Sequence, residues 1–241
     1  LDTIVCGNAE KDTIHALVKG ISDACRENEC SLVGGETSIQ PQVVNAGTYV
    51  LTASIAGIVE REKIIDGSAV REGDVVLAAA SNGLHTNGYS LVRLMMEWMP
   101  QIKLERIEGL TFIEQIMKPH TPYYKAVKEA VEEKLLHAMA HITGGGIAGN
   151  LCRVIPDGLT ARIDLSRLRI PAIFRYIREQ GGIREDEMLR TFNCGAGLVL
   201  VTGREHAEAV KRLVSRQCDC YEIGEIVSGQ ERVRLEGRMS W

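Results

Sequence analysis

The chain has 241 residues, of which 45% are hydrophobic and 25% charged, so it can form one large or two modest domains with a buried core. Its 24 glycines and 6 prolines exclude collagen-like and low-complexity classes. With 28 basic against 32 acidic residues, the net charge of -4 offers no basic surplus for a nucleic-acid backbone. The longest apolar run, residues 75–80, is far shorter than the ~20 residues of a membrane span. We predict a soluble globular protein whose partners include neither nucleic acid nor membrane.

The cysteines indicate a reducing compartment. There are 7 of them, scattered and without any pair at CxxC spacing, which is typical of free thiols in a cytoplasmic protein. The sequence starts at Leu1 without a targeting leader, and we expect that the true N-terminal part of the protein is missing from it.

The first sixty residues carry the pattern of one helix and two strands. Asp12 can cap a helix, and the apolar spacing that follows predicts a helix over residues 12–29. A short strand over residues 31–33 and a glycine turn over residues 34–37 are predicted next. Mixed β-branched and small residues then predict one long strand over residues 48–60.

Beyond residue 74, strand and helix patterns alternate. The apolar run 75–80 predicts a strand buried on both faces. Further strands are predicted over residues 137–142, 159–165, 197–202, 220–226 and 232–235. Helices are predicted over residues 89–98, 110–117, 122–136, 146–154, 171–180, 185–190 and 204–216. This alternation predicts an α/β fold, an α+β sandwich in which helices cover one sheet.

Three glycine-rich turns each follow an apolar run, at residues 33–37, 82–88 and 141–146. Glycine lets backbone N–H groups approach an anion, and a helix that starts directly afterwards adds its positive end. The turns therefore predict an anionic ligand, most simply a phosphate; tight turns that need glycine only for their geometry are the alternative. None of them matches a P-loop or a dinucleotide-binding fingerprint.

Two histidines in these turns are candidate site residues. His85, between two glycines, could exchange a proton with a substrate near neutral pH, with a structural loop histidine as the alternative. His141 is expected in the site and His137 in a structural role, because no third ligand is visible for a metal ion beside them. The remaining histidines, expected to be ordinary, are His15, His120 and His206.

A fourth turn of small residues, 191–197, precedes a predicted strand. Its Asn193 could hydrogen-bond a base or an amide, whereas Cys194 lacks the framework of a nucleophilic cysteine. Among the acidic residues, Glu36 and Asp164 lie where a carboxylate could hold Mg²⁺ against a phosphate, and solvated carboxylates are the alternative.

Five sequence motifs, spread along nearly the whole chain, resemble those of one known family. They are CSLVGGET (30–37), EREKIIDG (60–67), HTNGYSLVR (85–93), AHITGGG (140–146) and TFNCG (191–195). In this order they are similar to the aminoimidazole ribonucleotide synthetases, or phosphoribosylformylglycinamidine cyclo-ligases, which close a ring in purine biosynthesis at the expense of ATP. The HTNGYSLVR motif is similar to the corresponding segment of these enzymes and not to that of selenophosphate synthetase or thiamine-monophosphate kinase, which belong to the same superfamily.

Two departures from the family pattern affect what the resemblance implies. Members of the family begin with a longer segment whose glycine-rich, DGVGTK and ND words help to hold ATP and Mg²⁺, and nothing in this sequence matches them. Residues 38–41 read SIQP where the family has AEMP, so a carboxylate is missing from that loop. The resemblance implies that residues 1–65 are the last part of an N-terminal barrel-forming domain for ATP binding and dimerisation. Residues 74–241 then form the complete C-terminal sandwich.

The resemblance also implies a reaction and a set of site residues. ATP phosphorylates the formyl amide oxygen of formylglycinamidine ribonucleotide, and ring closure then expels phosphate from the iminophosphate. His85 is the first candidate for moving the proton and His141 the second. Residues expected to bind substrate or phosphate are Thr86, Asn87, Gly88, Thr143, Gly144, Gly145, Gly146 and Asn193. Residues expected near ATP and Mg²⁺ are Gly34, Gly35, Glu36 and Thr37, with Glu36 as the metal ligand.

Two other functions remain open at this point. The chain could be a non-catalytic remnant that binds a phosphorylated metabolite, or a divergent ATP-dependent synthetase of the same superfamily. The family further implies a homodimer in the cytoplasm.

Overall fold

The computed structural model describes residues 1–241, which form two compact units, Leu1–Glu62 and Lys63–Trp241. The first unit contains strand β1 (Asp2–Cys6), helix α1 (Lys11–Glu27), strand β2 (Gly35–Ile39) and strand β3 (Tyr49–Ala53). Its sheet has the order β2-β1-β3, in which β1 pairs parallel to β2 and antiparallel to β3. Both outer strands therefore have one unpaired edge.

The strands of the first unit differ from the sequence expectations. The expected strand at residues 31–33 has no regular structure, and the expected turn at residues 34–37 is largely part of β2. The expected long strand over residues 48–60 is limited to β3, which ends at Ala53, where its pairing with β1 ends. Strand β1 was not predicted at all. Pairing between distant segments, rather than local propensity, decides where these strands lie.

The second unit is built on a six-stranded mixed sheet covered by helices. The strands of the whole unit are β4 (Val75–Ala80), β5 (Arg106–Ile107), β6 (Leu110–Thr111), β7 (Leu136–His141), β8 (Leu159–Asp164), β9 (Ala196–Thr202), β10 (Cys220–Ser228) and β11 (Val233–Glu236). Its helices are α2 (Tyr89–Trp98), α3 (Phe112–Ile116), α4 (Tyr124–Glu132), α5 (Gly146–Leu151), α6 (Ala172–Gly181), α7 (Glu185–Thr191) and α8 (Ala207–Val214). The main sheet has the order β11-β8-β10-β4-β9-β7, and β5 and β6 form a small hairpin.

The middle of this sheet is buried on both faces. Alternate residues of β4 join two separate apolar cores: Val76 and Ala78 contribute to one, Val75 and Leu77 to the other. Every residue of β9 is buried as well. The predicted α/β sandwich and the two-sided burial of residues 75–80 are confirmed.

Several element boundaries follow from local signals. Helix α3 starts with a capping box in which Thr111 and Glu114 bond each other's backbone N–H groups. Helix α4 is shorter than the expected 122–136 because Lys134 adopts a positive φ of 56° before β7 begins. Helix α5 ends at Leu151 rather than at residue 154. None of the helices combines the length and the apolar character that crossing a bilayer requires.

Candidate active site: a histidine cluster between glycine-rich loops

The loop that follows β4 turns sharply into helix α2. Gly88 has a φ of 77° and lies at the N-cap of α2. A Cβ atom at this position would lie 2.0 Å from the Phe192 ring, so only glycine allows the two loops to meet this closely. The close contact explains why a glycine ends this turn.

Asn193 joins the loop after β4 to the turn that precedes β9. Its side chain is fully buried, and its Oδ1 accepts hydrogen bonds from Ser81 Oγ (2.7 Å) and Gly195 N (2.9 Å). Its Nδ2 donates to the carbonyl oxygen of Gly83 at 2.9 Å. All of this amide's polar atoms are thus occupied within the protein. We therefore assign Asn193 a bracing role instead of the expected contact with substrate.

Replacement of Asn193 by alanine is expected to lower the free energy of unfolding by about 3 kcal/mol, because three buried polar groups lose their partner. Urea-induced unfolding measures the change. Asn82→Ala is the matched control, because exposed Asn82 makes one side-chain hydrogen bond, to the Pro119 carbonyl. Equal losses in the two variants would contradict the bracing role.

The triple-glycine loop lies beside the loop after β4, as the sequence predicts for a shared site. The Gly144 N–H donates to Asn87 Oδ1 at 2.9 Å. The Gly145 N–H donates to the Arg190 carbonyl (2.9 Å), and the Gly146 N–H to the Thr143 carbonyl (3.1 Å). An anion at this loop would therefore have to replace existing hydrogen bonds. Of these three hydrogen bonds, only that of Gly144 has a side chain as its acceptor, and Gly144 itself is exposed. An anion would therefore replace this bond most easily.

A buried asparagine fixes the shape of the triple-glycine loop. Asn150 Nδ2 donates to the Gly146 carbonyl at 2.8 Å, and Thr143 Oγ1 donates to Asn150 Oδ1 at 3.1 Å. Sequence analysis did not single out Asn150, since it lies inside a helix without any motif around it. Thr86, at the tip of the other loop, is exposed.

Three histidines meet where these loops end. The His85 ring stacks on the His120 ring with 3.9 Å between centroids and 29° between planes. His120 Nε2 lies 3.1 Å from His141 Nε2. Nitrogen atoms of His85, His120 and His141 all lie within 4.8 Å of one another. His120 was expected to be an ordinary residue, and this expectation was wrong.

The hydrogen bonds assign the tautomers of two of these rings. His120 Nδ1 lies 2.8 Å from the Thr121 carbonyl oxygen, which can only accept, so Nδ1 carries the proton. His120 Nε2 is then an acceptor and receives the hydrogen bond from His141 Nε2–H. This arrangement leaves His141 Nδ1 with its lone pair. His141 is exposed, so this lone pair belongs to a residue that a ligand can reach.

Burial affects the titration of two of these rings. It lowers the pKa of His85 from 6.5 to about 3, with smaller contributions from His120 and His141. The pKa of His141 is also lowered, first by burial and then by His120. His85 is 4% exposed, and neither of its ring nitrogens has a hydrogen-bond partner. The buried His85 is therefore uncharged at neutral pH, with both ring nitrogens unpaired.

The lowered pKa of His85 makes the fold sensitive to acid. Between pH 6.5 and about pH 3 the unfolded chain binds one proton more at this position than the folded chain does. The free energy of unfolding should therefore fall by about 1.4 kcal/mol for each pH unit in this window as pH decreases. Urea unfolding at several pH values, with EDTA present, should show a steeper loss for the parent chain than for His85→Asn. Parallel pH profiles would contradict the assignment.

A groove beside the cluster gives access to His120 and His141. It has a volume of about 440 Å³, and the residues His120, Tyr123, Tyr124, Met139, His141 and Leu198 are among those that line it. Tyr123 Oη donates to the Ala80 carbonyl at 2.9 Å and so fixes the groove wall to β4. Gly197 makes room behind this wall, because a Cβ there would lie 1.9 Å from Tyr123 Oη and 2.7 Å from His85 Cε1.

His137 lies on the same strand as His141 but takes no part in the cluster. Its Nδ1 lies 2.7 Å from Oδ2 of the buried Asp74. The structure thus gives His137 the structural role expected from the sequence.

The side chains of Cys194 and Asp164 are engaged in hydrogen bonds within the protein. The Cys194 thiol is buried and donates to the Met188 carbonyl at 3.5 Å, and burial raises its pKa to about 12, so it is not a nucleophile at neutral pH. Asp164 accepts hydrogen bonds from the backbone and side chain of Ser166, which lowers its pKa.

The residues expected near ATP and Mg²⁺ lie in the first unit, at the start of β2. A groove of about 370 Å³ is lined there by Gly34, Gly35, Glu36 and Thr37 together with Asp2 and Val18. A Cβ at Gly35 would lie 2.3 Å from Asp2 Oδ1, so this glycine leaves room for the Asp2 carboxylate. Asp2 was not among the expected site residues because strand β1 was not predicted.

Comparison with known proteins agrees with this architecture. The family model for the N-terminal domain of AIR synthase related proteins matches residues 1–59, and the model for the C-terminal domain matches residues 71–236. A phosphoribosylformylglycinamidine cyclo-ligase from Methylobacillus flagellatus is 42% identical over 94% of the chain, which spans 66% of that relative's length. One from Bacillus cytotoxicus is 42% identical over 95% of the chain and 67% of its own length.

Solved structures of more distant proteins share the fold. Hydrogenase maturation protein HypE superposes with a TM-score of 0.72 at 19% identity, over 98% of this chain and 71% of that one. Thiamine-monophosphate kinase from Stenotrophomonas maltophilia gives 0.65 at 18% identity, over 99% of this chain and 72% of that one. With family models that match both units and close relatives along nearly its whole length, the chain belongs to the AIR synthase related protein family.

Proposed function

We propose that this chain carries the ring-closing site of a phosphoribosylformylglycinamidine cyclo-ligase, which converts formylglycinamidine ribonucleotide into aminoimidazole ribonucleotide with ATP. The observation that carries the proposal is the meeting of His85, Asn87, His141 and the triple-glycine loop in one unit of a chain whose relatives bear that name. The chain spans about two thirds of these relatives, so the activity of the complete enzyme is part of the proposal.

The proposed reaction needs a leaving group and a proton acceptor. Transfer of a phosphoryl group to the formyl amide oxygen turns a poor leaving oxygen into a good one. The attacking nitrogen then bonds to the formyl carbon, phosphate departs, and the nitrogen loses a proton. A positioned imidazole that accepts this proton can contribute a factor of about 10² to 10⁴ to the rate.

Between the two candidate histidines, we propose His141 as the proton acceptor. A base works best when its pKa lies near the working pH, and a pKa of about 3 makes His85 a weak base. The exposed His141 has a lone pair on Nδ1, and the hydrogen bond from its Nε2–H to His120 stabilises the imidazolium that forms. Buried His85, which was the first candidate, is then proposed to position the cluster as a neutral ring stacked on His120.

The glycine loops are proposed to bind the phosphate of the ribonucleotide. The positive end of helix α2 starts directly after Gly88. The Gly144 N–H now donates to Asn87 Oδ1. A phosphate bound at Thr143 and Gly144 would accept this hydrogen bond instead, and the Asn87 side chain would then be free to orient the substrate. Thr86, exposed at the tip of its loop, is a further proposed donor, with Gly145 and Gly146 shaping the turn.

ATP is the proposed phosphoryl donor. Solved relatives in fold include HypE in complex with ATP and Thermotoga maritima PurL complexed with AMPPCP. In this chain Glu36 lines a groove at the start of β2, and its carboxylate oxygens suit Mg²⁺, which would neutralise charge on the ATP phosphates. Asp2 lies on the opposite face of the sheet, the face that Gly35 shares. Gly34, Gly35 and Thr37 complete the proposed binding segment.

We further propose a homodimer in the cytoplasm, formed through the first unit, which matches the N-terminal domain of the family. Strands β2 and β3 each have an unpaired edge, and large apolar residues beyond β3, such as Ile55 and Ile58, are exposed. The seven cysteines are all free thiols, which suits a reducing compartment. A purified chain that sediments as a monomer at micromolar concentration would argue against the dimer.

Calorimetric titration of the 241-residue chain with formylglycinamidine ribonucleotide and with ATP, paired with an assay for aminoimidazole ribonucleotide, tests the proposal. The proposal expects both ligands to bind and the product to form at the expense of ATP. Binding of the ribonucleotide alone, without turnover, would favour a non-catalytic remnant. Binding of neither ligand would favour a divergent synthetase with another substrate.

A further inference from the structure

The histidine cluster contains more nitrogen ligands than the proposed ring closure uses. His85, His120 and His141 bring nitrogen atoms within 4.8 Å of one another. Both ring nitrogens of the buried His85 lack any hydrogen-bond partner. A buried polar group without a partner destabilises a fold, so its presence here calls for a ligand that can satisfy it.

We infer that His85, His120 and His141 form a binding site for one divalent transition-metal ion of the Zn²⁺ or Co²⁺ class. The inference goes beyond the proposed function and does not rest on it. Metal binding and proton acceptance by His141 are alternative states of this site, because ligation through Nε2 leaves the His141 proton on Nδ1. Three imidazoles and no carboxylate form a donor set that suits zinc, cobalt, nickel or copper, whereas Mg²⁺ prefers oxygen. The donor atoms of this site therefore differ from those of the groove at the start of β2, where Glu36 offers carboxylate oxygens.

The surroundings of His120 match those of a metal ligand. Its Nδ1 donates to the Thr121 carbonyl at 2.8 Å, which directs the Nε2 lone pair toward the cluster. A histidine bound to a metal through one nitrogen commonly donates the other N–H to a carbonyl or a carboxylate in this way. The groove lined by His120 and His141 leaves access for a fourth ligand such as water.

Metal binding would require the rings to reorient. Zinc-nitrogen bonds of about 2.0–2.1 Å place the ligand atoms of a tetrahedral site roughly 3.3 Å apart, so the widest pair, within 4.8 Å here, must approach. His120 must also tilt out of its stack on His85, and His141 must shift its proton from Nε2 to Nδ1. Partly exposed His120 lies between α3 and α4, outside both helices, where such a tilt disturbs no helix.

The composition of the cluster supports the same conclusion. No carboxylate takes part in the cluster, so an ion bound there would be held by neutral nitrogens.

Titration of the untagged, chelator-treated chain with Co²⁺, followed by visible absorption, tests the inference. We expect one equivalent to bind, with the intense d–d bands of a four-coordinate site, and Zn²⁺ to displace it. His120→Thr and His141→Gln should each weaken Co²⁺ binding at least tenfold. The matched control is His206→Gln, because His206 lies outside the cluster and 43% of its side chain is exposed.

Thermal unfolding of the metal-free variants checks that they keep the fold, as expected for two residues that are not fully buried. The inference is overturned if the parent chain binds no stoichiometric Co²⁺ or Zn²⁺. It is equally overturned if folded His120→Thr and His141→Gln bind Co²⁺ as tightly as the parent does.

Discussion

Replacement of His141 by glutamine is expected to lower the kcat of ring closure about a hundredfold, because the nitrogen that closes the ring loses its proton acceptor. Glutamine can still donate a hydrogen bond to His120, so the cluster keeps its shape. The KM for the ribonucleotide should change little, since the proton moves only in the transition state. Steady-state assays of the parent and the variant at pH 7 to 9, with EDTA-treated protein and added Mg²⁺, measure the effect.

His206→Gln is the control for this assay, and its kcat should stay within a factor of two of the parent value. If His141→Gln retained more than a third of the parent kcat, His141 would not be the proton acceptor. A large loss in His85→Asn alone would then return that role to His85.

Replacement of Gly197 by alanine is expected to cost about 3 kcal/mol of unfolding free energy and to abolish measurable turnover. The added methyl group would lie 1.9 Å from Tyr123 Oη and 2.7 Å from His85 Cε1, in a strand that is buried throughout. Tyr123 would have to leave the Ala80 carbonyl, and the groove wall would move with it. Thermal unfolding and the turnover assay measure the two effects.

Gly149→Ala provides the comparison, because Gly149 lies in helix α5 and a Cβ there meets nothing within 4 Å. We expect this variant to be as stable as the parent or slightly more stable. If the two glycine variants had equal stability and activity, the close packing of Tyr123 and His85 over β9 would not matter for the site.

Local signals were enough to predict much of the second unit. Strand β4 and helix α2 were predicted to the residue, because glycine turns delimit a continuous apolar run and an amphipathic pattern. The first unit was predicted less well. Strand β1 and the start of β2 are defined by their pairing with each other across helix α1, which no local pattern reports.

The same contrast applies to the candidate site. His85, Asn87 and His141 were found from the sequence because they lie in or directly before glycine-rich turns. His120 was missed because it belongs to no such turn and reaches the cluster only through the path of the chain between α3 and α4. The prolines that flank residues 120 and 121 were the one available signal that this segment is a fixed turn.

We propose that one phosphorylated ribonucleotide binds where the histidine cluster meets the glycine loops. The chain has 6 histidines, which makes NMR of isotope-labelled imidazole rings during titration with formylglycinamidine ribonucleotide the most direct test. Saturable shifts are predicted for the ring signals of His85, His120 and His141, with those of His15, His137 and His206 unchanged. Saturable binding that leaves the three clustered rings unchanged would contradict the claim.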